Sequence, residues 1–216
     1  MNKLNLIFDL DGVIANTGDQ HQDAWFKFCE KHRLHITEKM FRDKLFGRTS
    51  HEIMEILFGR GIGENESYQL TEEKEKLYRD LAKGQLKPLP GLPGFLEKVN
   101  AHHIPVCVAS SAPHENVVFT LRETKVRQYF GHIIAAEDIR NSKPHPEIFL
   151  KAAEALAAPP SNCIVFEDSY AGVEAGLRAK MKVVAVASTH HEHELKHAHL
   201  TISDFLRLEV NHLMKL

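Results

Sequence analysis

Leu4-Asn5-Leu6-Ile7-Phe8-Asp9-Leu10-Asp11-Gly12-Val13 runs an apolar, strand-forming segment into two carboxylates and breaks it at once with an Asp-Gly turn signal. Side chains alternate along a strand, so Asp9 and Asp11 leave its end on one side. Two like charges that close together are costly unless a cation or a proton relieves them. A hairpin or a solvated strand end would also accommodate Asp-x-Asp. An EF-hand loop opens the same way but needs Gly at its sixth position and Glu at its twelfth. Here the glycine is fourth and the twelfth residue is Gln20, which excludes that reading.

Other polar groups also fall at the ends of apolar runs. Val106-Cys107-Val108-Ala109-Ser110-Ser111 is a buried-type strand that ends in hydroxyls. Asn141-Ser142-Lys143-Pro144-His145-Pro146-Glu147-Ile148-Phe149 carries a lysine just before a helix. Cys163-Ile164-Val165-Phe166-Glu167-Asp168-Ser169 is a strand ending in paired acids. Taken singly, Ser110 reads as a turn residue, Lys143 as a surface lysine and Glu167-Asp168 as a helix N-cap. In this order, with Asp9-x-Asp11 in front, they form one pattern.

That pattern resembles the haloacid dehalogenase-like (HAD) phosphatase superfamily, whose four motifs follow one another at strand ends and whose members form an aspartyl-phosphate. The resemblance covers the chain from end to end. It implies an α/β fold, a Rossmann-like doubly wound parallel-sheet core with an inserted helical cap domain. Asp9 would then be the nucleophile and Asp11 the general acid/base. It also implies Mg²⁺, held by the Asp9 carboxylate, the Asp11 backbone carbonyl and the Asp168 carboxylate, with Glu167 acting mainly through coordinated water. The acids Asp9, Asp11, Glu167 and Asp168 carry four negative charges, and a phosphate dianion adds about two more. Mg²⁺ and Lys143 offset only part of this, so a proton on Asp11 or further donors are needed. The Ser110 hydroxyl and the Ser111 backbone N–H are the candidates.

Strand and helix patterns alternate after residue 95, as a parallel α/β sheet requires. Candidate strands are Leu4–Leu10, Pro105–Ser110, His132–Ala136, Cys163–Phe166 and Val183–Ala187, with helices over Pro146–Leu156 and Ala171–Met181. Residues 16–84 differ: apolar residues recur at helical spacing, as in Trp25, Phe28, Cys29 and His32, then Ile53, Ile56 and Leu57, and Leu70–Leu81 reads as a charged amphipathic helix. This stretch is expected to be a helical cap, with residues 1–15 and 85–216 forming the core. Short linkers near Ala15–Gly18 and Lys83–Lys87 would join them. The insertion resembles the cap of the HAD subgroup that includes β-phosphoglucomutase and small sugar-phosphate phosphatases. By that resemblance Thr17 and His21 lie near the hinge, where they assist the nucleophile and steer the leaving or accepting hydroxyl, and Lys74 faces the substrate. The mutase pattern also has an arginine three residues after the cap glycine, to hold a distal phosphate. After Gly47 that position is Ser50, while Arg48 follows the glycine directly. This departure tilts the expectation to a phosphatase over a phosphohexomutase. A second departure puts Lys180 where the family has a helix-ending glycine, so the helix is expected to end differently.

The 216 residues are 43% hydrophobic and 26% charged, with a formal net charge of −2. This is an ordinary globular composition with no basic field for nucleic acid or an anionic membrane. No apolar run reaches the ~20 residues of a membrane span, and no signal-like leader precedes the first strand. Cys29, Cys107 and Cys163 are widely spaced in apolar surroundings and read as reduced, buried thiols, which points to the cytoplasm. The expected partner is a small phosphorylated metabolite, a sugar phosphate first of all; the oligomeric state is open. Fifteen histidines, many of them between His190 and His199, could chelate a transition metal, but read first as a solvated, His-rich loop and helix face. A response-regulator-like signalling module also phosphorylates an Asp on an α/β sheet. That family places its acceptor at the end of the third strand, whereas Asp9 ends the first.

Overall fold

The computed structural model describes residues 4–45 and 48–216, so Gly47, to which the arginine comparison is anchored, lies outside the described residues. The chain divides into two compact units, Met1–Asn16 with Leu86–Leu216, and Thr17–Gln85. The first unit is built on one parallel sheet of β1 (Asn5–Phe8), β2 (Val106–Ala109), β3 (His132–Ile134), β4 (Cys163–Glu167), β5 (Lys182–Val186) and β6 (Leu200–Ile202). Their order is β3-β2-β1-β4-β5-β6. The chain winds outward from β1 in both directions, which is the doubly wound arrangement expected. A crevice at the carboxyl ends of β1 and β4 is then the natural ligand position. β6 is not legible in the sequence, because its short run follows a His-rich stretch with no periodicity to read.

Strand β1 is buried throughout, as a parallel strand covered on both faces must be. Leu6 and Phe8 enter one core layer and Ile7 the other, following the two-residue period. The Phe8 ring stacks on Phe166 with centroids 4.4 Å apart and meets Phe130 edge-on at 5.8 Å. Phe95 and Phe205 complete this aromatic layer. The opposite layer mixes Ile148, Phe149, Val165 and Val183 with Ala109, Ala152, Ala175 and Ala185. Phe8 is in register with both Val108 and Phe166, so β1, β2 and β4 end level with one another.

The second unit is helical, with α1 (Gly18–His32), α2 (Glu38–Met40) running into a π-helical turn, α3 (Ser50–Phe58) and α4 (Glu64–Ala82). Trp25, Phe28, Cys29, Ile53, Met54 and Leu57 form its core. Helix α4 starts at Glu64, well before the predicted Leu70, because its first turns are polar. Thr49 and Glu52 make a reciprocal capping box at the start of α3. In the sheet unit lie α5 (Leu92–Ala101), α6 (His114–Glu123), α7 (Glu147–Ala155), α8 (Tyr170–Arg178) and α9 (Val210–Leu213). All three cysteines are buried and unpaired. Burial pushes the thiols of Cys29 and Cys163 up to about 11 and that of Cys107 up to about 12.

The end of α8 corrects one expectation. Lys180 takes the left-handed conformation, at φ 58°, that the resemblance led us to expect only of glycine. The Met181 N–H donates to the Gly176 carbonyl at 3.1 Å and closes the helix in the usual way. Burial of Met181 beneath α8 holds this geometry despite the side chain on residue 180. Lys180→Gly should therefore stabilise the protein by about 0.5–1 kcal/mol, the relieved strain less the added freedom of the unfolded chain. Denaturant unfolding of the two proteins checks this, and an equal or lower midpoint for the glycine variant would contradict it.

Candidate active site

Asp9 follows β1 directly, and its N–H donates to the Phe166 carbonyl of β4 at 3.0 Å. Continuing the alternation of Ile7, its side chain leaves the sheet on the face opposite the aromatic layer. Glu167 ends β4 next to it and Asp168 follows. The three carboxylates offer oxygens within 4.8 Å of one another, and all three residues are buried. Lys143 reaches in from the loop before α7. Its Nζ donates to Asp9 Oδ1 at 2.5 Å and to Glu167 Oε1 at 2.6 Å.

Neutral groups complete the arrangement. Ser169 is the N-cap of α8, where its Oγ accepts from the Gly172 N–H at 3.1 Å. Its own N–H and hydroxyl donate to Glu167 Oε2 at 2.7 and 3.0 Å. The cap is thus Ser169, not the acidic pair. Gly172 leaves room for the Glu167 carboxyl, since a Cβ there would lie 1.8 Å from Glu167 Oε1. Gly12, at φ +75°, does the same for Asp168: a Cβ would fall 2.1 Å from its Oδ2. The Thr189 hydroxyl bonds Asp168 Oδ2, and Ser188 Oγ bonds the Gly12 carbonyl. Ser188 and Thr189 had no signal in the sequence, lying far from the acids in a stretch dominated by histidine. Ser169 and Gly172 were legible in kind, as a cap and a small residue, but not in role.

Burial, opposed by Lys143 and reinforced by Glu167 and Asp11, raises the Asp9 carboxyl to about 7. Burial, with Glu167 and Asp9 adding, raises Asp168 to about 8. Burial alone would discharge Lys143, but Asp9 and Glu167 outweigh it and its pKa is raised, so it stays an ammonium. An all-oxygen set of carboxylates with too little positive charge suits a hard divalent cation, not a thiol-seeking metal.

The other expected residues fall in two groups. Ser110 is buried at the end of β2, the neighbour of β1, and its Oγ accepts from the Ala112 N–H at 3.0 Å. Ser111 follows it and is exposed. Thr17 and His21 belong to the helical unit, Thr17 as the N-cap of α1 and His21 in its first turn, with the His21 N–H donating to the Thr17 carbonyl. Lys74 joins them there: its Nζ donates to His21 Nδ1 at 2.8 Å and to Glu75 Oε1 at 2.9 Å. The His21 ring stacks on Tyr78 at 3.9 Å. Burial and the Lys74 ammonium hold the imidazole well below its ordinary pKa, so it is neutral with its proton on Nε2. Arg48 is engaged locally, its Nε donating to the Lys44 carbonyl at 2.7 Å and its Nη1 3.9 Å from Glu52. In the His-rich segment His191 and His193 stack on each other, and His190 Nδ1 contacts the Asp168 carbonyl at 3.0 Å.

The sequence pattern of the family described as "Haloacid dehalogenase-like hydrolase" matches residues 6–186. The chain belongs to this HAD family. A phosphorylated carbohydrates phosphatase of Thermotoga maritima is 33% identical over 178 residues, 81% of this chain and 80% of that protein. The crystal structure of a family IA, variant 3 HAD hydrolase from Entamoeba histolytica superposes with a TM-score of 0.91 at 27% identity, over 98% of each chain. That of a β-phosphoglucomutase from Clostridium difficile gives 0.83 at 32% identity, over 100% of this chain and 96% of that one.

The raised carboxyls of this HAD protein carry a stability consequence. A folded pKa above the unfolded one favours folding below the unfolded pKa, and the benefit is lost as pH rises through the folded value. For Asp9 and Asp168 that window runs from 3.8 up to about 7 and about 8. In chelator, their contribution should therefore fall between about pH 5 and about pH 8.5, and Mg²⁺ should raise the melting temperature more at the upper pH. Melts with and without Mg²⁺ at both values check this. An equal shift at both would contradict it.

Proposed function

We propose that this protein is a Mg²⁺-dependent phosphoryl-transfer enzyme acting on a small sugar phosphate through an aspartyl-phosphate, and that it works chiefly as a phosphatase. The observation that carries the reading is the Asp9 carboxylate at the end of the central strand, held by Lys143 beside Glu167 and Asp168. Asp9 attacks phosphorus through its free oxygen while Lys143 keeps the other engaged and the carboxylate oriented. Asp11 protonates the departing oxygen, then takes the proton from the incoming water. Ser110 and the Ser111 N–H bind phosphate oxygens. Asp9, Asp168 and the Asp11 carbonyl would hold Mg²⁺, with Glu167 alongside; when bound, it offsets the charge that otherwise repels a phosphate dianion. The same reading gives Thr17, His21, Lys74 and Arg48 of the helical unit to the rest of the substrate, as a cap.

Hydrolysis is preferred because Ser50 starts α3 where a mutase would carry its distal-phosphate arginine, and Arg48 has its Nε on a backbone carbonyl. A phosphohexomutase is the second reading, supported by the 32% identity to a β-phosphoglucomutase over the whole chain.

Asp9→Asn should stay folded and lose at least about 10³-fold in turnover. Phosphate release from an aryl phosphate, beside a thermal melt, tests this; a folded variant keeping several per cent of activity would refute the covalent mechanism. Phosphorus NMR on β-glucose 1-phosphate with catalytic 1,6-bisphosphate separates the two readings. Phosphate release faster than isomerisation is expected, and clean conversion to glucose 6-phosphate would establish the mutase instead.

A further inference from the structure

We infer that Thr189 is a positioning residue that fixes which oxygen of Asp168 is available to a divalent cation, an inference that rests on the cation site proposed above. The segment after β5 lies across the first loop and the acidic pair. Ser188 Oγ donates to the Gly12 carbonyl, and Thr189 Oγ1 contacts Asp168 Oδ2, the Asp168 carbonyl at 3.2 Å and His190 Nδ1 at 3.0 Å. His190 Nδ1 also lies 3.0 Å from the Asp168 carbonyl.

The direction of these hydrogen bonds follows from donor count. A carbonyl only accepts, so His190 Nδ1 carries a proton and donates to it. A threonine hydroxyl has a single proton, and the Asp168 carboxylate, ionised as it must be to bind a cation, is its closest and strongest acceptor. Thr189 therefore donates to Oδ2. That oxygen is also the one against which Gly12 packs, with no space for even a Cβ between them. Oδ2 is occupied on one side and walled on the other, which leaves Oδ1 as the oxygen available to a cation. Ligands to metals are commonly oriented by such outer partners, whose loss weakens binding by about 10–100-fold.

The test is calorimetric titration of Mg²⁺ into the protein without substrate. Wild type should bind and Asp168→Asn should not. Thr189→Val and Thr189→Ala should each weaken binding by about 10–100-fold. Thr189→Ser, which keeps the hydroxyl, should restore it to within about 3-fold. Melts in chelator show whether each variant is folded; should the valine methyl against Asp168 unfold the protein, the alanine variant carries the comparison. Wild-type affinity in a folded Thr189→Ala, or failure of Thr189→Ser to restore binding, overturns the role given to the hydroxyl while leaving the cation site intact. No binding by wild type, or undiminished binding by Asp168→Asn, overturns the cation site and this inference with it.

Discussion

Lys143 holds Asp9 and Glu167 with one ammonium, and the acidic cluster depends on that contact. Three carboxylates withdrawn from water repel one another and lose hydration, and one cation cannot repay both costs. The remaining structure supplies what Lys143 does not. Ser169 gives Glu167 two hydrogen bonds from the start of α8, Thr189 gives Asp168 one from the segment after β5, and two glycines give up side chains so that the acids fit. The cluster remains short of positive charge. That shortage raises the Asp9 and Asp168 carboxyls toward neutral pH, and a divalent cation bound among them would relieve it.

The helical unit solves a similar problem with other means. Lys74 and Glu75 are both buried, and they pair with each other. The Lys74 ammonium also lies 5.1 Å from the centre of the Trp25 ring, where the π face receives positive charge favourably. The His21 ring stacks on Tyr78 and is fixed in one tautomer, with Nδ1 accepting from Lys74 and the proton on Nε2.

Much of this was written locally in the chain. The apolar run into Asp9, the run into Glu167-Asp168 and the lysine before α7 each announced a strand end or helix start, and parallel pairing then had few ways to bring them level. The helical texture of residues 16–84 was equally plain, since Trp25, Phe28, Cys29, Ile53 and Leu57 all reach the core that their spacing called for. The remainder was hidden for physical reasons. β6 is an edge strand too short to show a period. The geometry of Lys180 is decided by packing beneath the helix end, where tertiary burial overrides backbone preference. Thr189 meets Asp168 only because β5 lies beside β4, a neighbourhood that no spacing along the chain encodes.

The alternation of β1 ties the chemistry to the counting of residues. Phe8 points into an aromatic layer and Asp9 into the opposite one, so a shift of a single position would drive a carboxylate among the rings of Phe95, Phe130, Phe166 and Phe205 and turn the Phe8 ring toward Lys143. Substitution along β1 is a matter of volume and can be compensated by neighbours. Insertion or deletion within Asn5–Phe8 cannot, because it inverts every later side chain of the strand at once. Among related chains, length should therefore vary freely in the loops of the helical unit and not at all between the start of β1 and its two aspartates.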